Sequence, residues 1–260
     1  MMLVLLDPSR RPVIGHRGNR ARAPEDTLVS FAQAVTIGVD ALEMDLHLSR
    51  DGVPVVIHDP TLDRTTDGTG AVAERSAAEL ARVDAGARFS TDGGRTRPYR
   101  GIGIGIPTLE EVLVAHPTIP LILEIKAREA AGPVLALLQR MNATGRVLMG
   151  SFHDEALTAF SEAGIPVAGA THALAKLYLP ALFGARRAAL PFQAMCIPRS
   201  YRGLPLPISG YARLMAAAGG PVHVWTVNDR AVARALWTAG VAGMISDDPA
   251  AMIAERAVLA

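Results

Sequence analysis

The stretch ALEMDLHLSRDGVPVVIHD, Ala41 to Asp59, decides how the chain is read. Two apolar runs are joined only by Ser49-Arg50-Asp51-Gly52, Glu43 and Asp45 sit inside the first, and His58 and Asp59 end the second. Residues two apart on a strand share a face, so Glu43 and Asp45 point the same way. An interior of Val and Leu tolerates such a pair only with counter-charge or a task. The connection is too short for a helical crossover, so either a hairpin forms here or part of the first run is loop.

Outward from this stretch, short β-branched runs alternate with longer Ala/Leu-rich segments over the whole length. Strand candidates are PVIG from Pro12, ALEMDLHL, VPVVIHD, LILEIK, RVLMGSF, PVAGA, AMCIP, VHVWTV and AGMISD. Helical stretches are expected at Thr27 to Val39, Leu109 to Ala115, Glu129 to Met141, Asp154 to Ala163, Thr171 to Leu182, Ser209 to Ala218, Asp229 to Ala239 and Asp248 to Ala257. This alternation predicts an α/β chain folded as a single (β/α)8 TIM barrel over residues 1–260. Nine strand candidates compete for eight places. Residues 59–107, rich in Gly, Arg, Asp and Thr and ending in GIGIGIP, are expected to make a small insertion over one barrel mouth, since a loop of that length is usually functional. The apolar start MMLVLL is too short for a signal peptide or membrane span and is read as a lead into the first strand.

With 260 residues, half of them apolar, the chain can bury a large core. A formal charge of +1 and 5% aromatic residues provide neither the global field nor the stacking platform that nucleic acid would need. Any anion recognition must therefore be local. The single cysteine, Cys196, cannot form an internal disulfide, which favours a cytoplasmic location.

Polar groups recur where strands should be apolar. Glu124 and Lys126 in LEIK share a face as Glu43 and Asp45 do, and His16 and His58 each end an apolar run. Barrel active sites gather at strand C-termini, so these residues are expected to meet there, although an ion-pair network with Arg17 and Lys126 would satisfy the same pattern. Three carboxylates suit one hard divalent cation, Mg²⁺ or Ca²⁺, and two histidines beside it suit general acid and base chemistry.

The series HRG (His16 to Gly18), PEDT (Pro24 to Thr27), EMD (Glu43 to Asp45), HDPTLDRTTDGTG (His58 to Gly70), PTLEE (Pro107 to Glu111), EIK (Glu124 to Lys126), SF (Ser151, Phe152), WTVN (Trp225 to Asn228) and GVAGMISDDP (Gly240 to Pro249) resembles the glycerophosphodiester phosphodiesterase family. The resemblance implies a barrel that hydrolyses small-molecule glycerophosphodiesters, such as glycerophosphocholine or glycerophosphoethanolamine, to glycerol 3-phosphate and an alcohol. It places Glu43, Asp45 and Glu124 on the metal and makes His16 and His58 the catalytic pair. Arg17 and Lys126 are expected to bind the phosphoryl oxygens, and Trp225 to wall the alcohol group against the bland reading of barrel packing. Two alternatives stand beside this: a lyase that cyclises lysophospholipids, resembling the sphingomyelinase D branch, and a non-catalytic phosphodiester-binding protein.

Some residues depart from the family's pattern or draw blander readings. PEDT replaces the usual PENT at Asp26, Ile122 replaces a common asparagine, and Ala242 and Ser246 soften a C-terminal signature read as structural. Glu25 either orients Arg17 or a histidine, or merely opens the following helix. His47 is read as a solvated strand-end residue, His153 is left outside the site, and Asn228 is read as a helix cap. Arg88, Arg95, Arg97 and Arg100 either read an anionic head group or are simply solvated. Ala173 to Phe192, with Lys176, Arg186 and Arg187, could rest on a membrane surface, but Pro180 and Gly184 favour an ordinary helix and loop.

Overall fold

The structure is a computed structural model and describes residues 2–169, 171–184 and 190–259. In chain order its strands are β1 (Val13–His16), β2 (Ala41–Leu48), β3 (Pro54–Val56), β4 (Leu121–Ile125), β5 (Val147–Ser151), β6 (Met195–Pro198), β7 (Ser200–Tyr201), β8 (Leu204–Pro205), β9 (Val222–Trp225) and β10 (Gly243–Ser246). Its α-helices are α1 (Leu28–Ile37), α2 (Ala77–Leu80), α3 (Leu109–Ala115), α4 (Ala131–Arg140), α5 (Thr158–Glu162), α6 (Thr171–Phe183), α7 (Ile208–Ala217), α8 (Arg230–Thr238) and α9 (Pro249–Val258).

The main sheet runs β5-β4-β2-β1-β10-β9-β6, with parallel neighbours throughout. The gap between β5 and β6 is bridged by Val167 and Ala168, which pair in parallel with Met149 and Ala194. That short segment is the fifth stave, so the barrel closes with eight. The spare strand is VPVVIHD: β3 turns back antiparallel on β2, with Val56 opposite Leu46, and the hairpin alternative holds. Ser49 fixes the turn, its hydroxyl accepting from Val53 N at 3.0 Å.

Local sequence explains the helix starts. Thr27, Asp229 and Asp248 cap α1, α8 and α9 by accepting from Ser30, Val232 and Ala251 N–H groups. Thr108 and Glu111 of PTLEE form a reciprocal capping box on α3. The helix cap expected of Asn228 therefore falls to Asp229.

The opening segment does not lead directly into a strand as expected. Val4–Leu6 form a 3-10 turn whose Leu5, fully buried, packs with Ile14, Ile122, Leu148 and Ile245 inside the barrel. Hydrophobic burial in the barrel floor outweighs the strand propensity of this apolar run. Residues 59–107 fold over their own cluster of Leu62, Val72, Leu80, Ile104 and Ile106. GIGIGIP thereby makes sense: Ile104 and Ile106 are buried, and Gly105 lies so close to Ala81 that a Cβ there would stand 2.1 Å from its carbonyl oxygen.

Helix α6 continues through Pro180, and Gly184 follows its end with φ +71. Arg186 and Arg187 lie outside the described residues. No helix among the described residues is long and apolar enough to cross a membrane.

Candidate active site

One cavity of about 520 Å³ opens at the C-terminal ends of the strands. His16, Arg17, Glu43, Asp45, His58, Glu124, Lys126 and Trp225 all line it. Every candidate site residue read from the sequence is therefore brought to one place.

The acids come from adjacent strands in register. Asp45 on β2 stands opposite Glu124 on β4, and Glu43 lies two residues earlier on the same face. Ligand oxygens of the three carboxylates all lie within 4.8 Å of one another. Lys126 Nζ reaches Asp45 Oδ1 at 3.0 Å and Glu124 Oε1 at 2.5 Å. Burial, with Asp45 nearby, pushes the Glu43 carboxyl well above its ordinary range and raises Glu124 as well. Asp45 goes the other way: burial opposes its charge, but Lys126 and Arg17 outweigh it. Arg17 Nε and Asp45 Oδ2 are 2.9 Å apart yet out of line for a hydrogen bond, leaving both buried atoms without a hydrogen-bond partner. Crowded carboxylates with an orphaned oxygen fit a hard divalent cation, so the cluster could hold one.

The HRG turn is built around backbone constraints. Arg17 takes φ +53, and its N–H reaches both the carbonyl oxygen and Oε2 of Glu43 at 3.0 Å. Gly18, at φ +87, lies against Ser30, where a Cβ would come within 2.3 Å of Oγ. No side chain fits there, which accounts for the glycine. Asp26 also takes a left-handed φ of +57, and both its carboxyl oxygens are buried without a hydrogen-bond partner. Burial, with Asp45 close by, pushes this carboxyl well above its usual range. The shift favours the protonated form, which resembles the amide of the family's PENT.

Each histidine is held by an aspartate. His16 Nδ1 is 2.6 Å from Asp247 Oδ1, and His58 Nδ1 is 2.6 Å from Asp59 Oδ1. A carboxylate at Nδ1 selects the tautomer protonated there and leaves Nε2 as the second ring nitrogen. His16 Nε2 stands 4.0 Å from Glu43 Oε2. Burial lowers the His58 ring below its ordinary value, which keeps it neutral at pH 7.

The two aspartates are joined through Glu25. Arg20 donates from Nε to Glu25 at 2.8 Å and from Nη1 to both oxygens of Asp247 at 3.2 Å. Arg64 donates to Glu25 at 2.7 Å and to Asp59 at 2.5 Å, and Arg17 Nη1 also donates to Glu25 at 2.7 Å. A chain His16–Asp247–Arg20–Glu25–Arg64–Asp59–His58 thus spans the cavity rim. Burial works against the Glu25 charge, but its three guanidinium partners hold the carboxyl far below the usual range. Of the two readings for Glu25, the orienting one holds, because it accepts from Arg17 and lies outside the first turn of α1, which carries no acidic residue.

Several sequence readings are corrected. Asp247 belongs to the signature read as structural, yet it takes the His16 ring; its Asp-Asp-Pro context resembles a helix start, and only the second aspartate caps. Asn228 holds this group, donating to Asp247 Oδ2 at 2.9 Å and accepting from Asp247 N at 2.9 Å. The signal for Asp59 was visible beside His58 in HDP; Arg64 gave none. His47 is not solvated: it is 9% exposed, and Nε2 lies 3.1 Å from the His58 carbonyl oxygen, because the β3 hairpin folds back over it. Arg88, Arg95, Arg97 and Arg100 are exposed and do not line the cavity, the solvated alternative. His153 is likewise exposed and off the lining. Trp225 meets Phe152 edge to face at 6.2 Å, and Lys126 Nζ lies 5.6 Å from the Phe152 ring centroid.

Comparison with known proteins gives a consistent result. The model of the glycerophosphoryl diester phosphodiesterase family matches residues 16–251. A glycerophosphodiester phosphodiesterase of Caldanaerobacter subterraneus subsp. tengcongensis is 31% identical over 250 residues, covering 93% of this chain and 96% of that one. Among solved structures, an Oleispira antarctica phosphodiesterase in complex with the product sn-glycerol-3-phosphate is similar at TM-score 0.76 and 28% identity, over 95% of this chain and 97% of that one. A glycerophosphodiester phosphodiesterase from Agrobacterium tumefaciens str. C58 is similar at TM-score 0.73 and 27% identity, over 94% and 99%.

Proposed function

The chain belongs to the glycerophosphoryl diester phosphodiesterase family, and on that premise we propose that it hydrolyses glycerophosphodiesters such as glycerophosphocholine or glycerophosphoethanolamine to glycerol 3-phosphate and an alcohol. The observation that carries this reading is the pair of His–Asp couples, His16–Asp247 and His58–Asp59, at one cavity with three clustered carboxylates. Glu43, Asp45 and Glu124 would hold one divalent cation, Mg²⁺ or Ca²⁺. When bound, the cation neutralises charge developing on the phosphoryl oxygens.

The chain's own groups supply the rest. Arg17 and Lys126 present cationic donors to the phosphoryl group, Arg17 by its fork and Lys126 as a point charge. One histidine takes a proton from the attacking hydroxyl at its Nε2, and the other gives a proton to the departing alkoxide. Asp247 and Asp59 keep each ring in the tautomer and orientation this requires, and they steady the imidazolium that forms. Trp225 and Phe152 exclude water on one flank. Residues 59–107 contribute Asp59 and Arg64 to the same single domain, and a cytoplasmic location accords with the lone cysteine.

Release of glycerol 3-phosphate from both diesters tests the reading, first with chelator and then with Mg²⁺, Ca²⁺ or Mn²⁺ restored. Metal-dependent turnover lost in Glu43→Ala and His58→Ala is expected. A folded protein that is inert with every metal would overturn it.

A further inference from the structure

The cavity lining is of two chemical kinds. Its charged groups come from the strand termini just described, whereas much of the rest is aliphatic and aromatic: Leu174, Tyr178 and Leu179 of α6, with Tyr201, Leu204 and Leu206. This wall is built by elements outside the barrel strands, namely α6 and the small β7–β8 hairpin, in which Tyr201 pairs with Leu204.

The same elements keep apolar side chains in water. Leu179 is 61% exposed and Leu204 66%, both on the cavity lining, and Phe183 on the next turn of α6 is 83% exposed. Phe152 and Tyr201, both on the lining, are exposed as well, as is Leu182 of α6. Contiguous exposed apolar surface usually marks an interaction site. Here Phe152, Leu179, Tyr201 and Leu204 are exposed and also line the cavity that holds the histidines.

Such a wall does nothing for a small polar diester. Glycerol hydroxyls and a hydrated ammonium lose water partners against leucine and regain none. An aliphatic chain gains instead, since each methylene moved out of water improves binding roughly fourfold. We infer that the α6 and β7–β8 wall is a subsite for an aliphatic chain carried by the substrate, so that the preferred substrate is a glycerophosphodiester bearing one acyl or alkyl chain. This inference rests on the hydrolase reading and specifies its substrate class. The step is unchanged: the oxygen of water bonds to phosphorus, the bond from phosphorus to the head-group oxygen breaks, and that alcohol leaves with a proton. The chain-bearing glycerol keeps the phosphate.

The test compares kcat/KM for glycerophosphocholine with its butanoyl, hexanoyl and octanoyl monoesters, each below its micelle concentration, on the metal-replete protein. A rise of at least about tenfold from the unacylated compound to the octanoyl ester is expected, given the per-methylene gain. A flat or falling series, with glycerophosphocholine still cleaved, would overturn the subsite and leave the hydrolase reading intact. Leu179→Asn and Leu204→Asn, both at exposed positions, should lower the octanoyl-to-unacylated ratio several-fold; an unchanged ratio in both would also overturn the subsite. If no diester is turned over, the hydrolase reading fails by itself. Calorimetry then decides the subsite separately: octanoyl ester bound about tenfold more tightly than glycerophosphocholine supports it, and equal binding overturns it.

Discussion

Asp247 does for His16 what Asp59 does for His58: each carboxylate meets the ring Nδ1 at 2.6 Å, from opposite ends of the sequence. Both aspartates are positioning residues, and their removal should act on turnover more than on affinity. Asp247→Asn and Asp59→Asn are expected to lower kcat by roughly 10²-fold or more, within the range for disabling acid–base catalysis, with KM nearly unchanged. A change confined to KM would contradict this assignment.

Asp247 also makes an acid-stability prediction. Burial works against its charge, but the bond to His16 leads the opposing effects and brings its pKa down to about 2. Its contribution to stability is present above the ordinary carboxyl value and is lost as pH falls toward 2. Melting curves of Asp247→Asn and the parent chain should therefore converge on acidification through that window.

Glu25 accepts from three arginines in a site that is 10% exposed at its side chain. Glu25→Gln leaves those guanidiniums facing one another with no shared carboxylate. Breaking a buried ion pair at one partner costs about 3 kcal/mol, which urea unfolding will register. kcat should fall as well, because both His–Asp couples lose a common anchor.

The carboxylate trio predicts opposite effects with and without metal. Glu43 is raised by burial and by Asp45, so its contribution to stability falls as pH rises above the unfolded carboxyl value. In chelator at pH 8, Glu43→Gln should be more stable than the parent, with the gap closing toward pH 4. Mg²⁺ or Ca²⁺ at a hundred times its Kd should stabilise the parent by about 2.7 kcal/mol and the variant by less. No metal-induced rise in Tm of the parent would exclude the trio as a metal site.

Asp26 has the same sign and the same leading causes, burial and Asp45. Its buried carboxyl has no hydrogen-bond partner and is raised, so Asp26→Asn should gain stability over the parent as pH climbs from about 4 to 8. Restoring the family's amide costs nothing in geometry, since asparagine tolerates the φ of +57. Equal melting temperatures across that range would mean that the carboxyl is ionised in the folded state.

Much of this was legible before the structure. Polar residues at the ends of apolar runs announced His16, Glu43, Asp45, His58, Glu124 and Lys126, because charge inside a strand needs either a counter-charge or a task. The barrel followed from alternation, but the place of VPVVIHD did not, since four residues allow either a hairpin or a loop. Asp247 and Arg64 were hidden for a different reason. Their partners lie 231 and 39 residues away, and the first aspartate of Asp-Asp-Pro at a helix start, or an arginine in a loop, carries no local mark of what it will touch. Leu5 in the barrel floor was hidden likewise, because a short apolar run does not say which surface it will cover.

The barrel closes where Val13 of β1 meets Met244 of β10, and His16 and Asp247 sit at that seam. During synthesis the carboxylate trio is complete once β4 has left the ribosome, whereas the His16 couple waits for nearly the whole chain. A chain cut short before β10 thus carries all three acids and the His58–Asp59 couple but lacks the aspartate that holds His16. On the proposed mechanism the second histidine couple forms only when the last strand closes this seam.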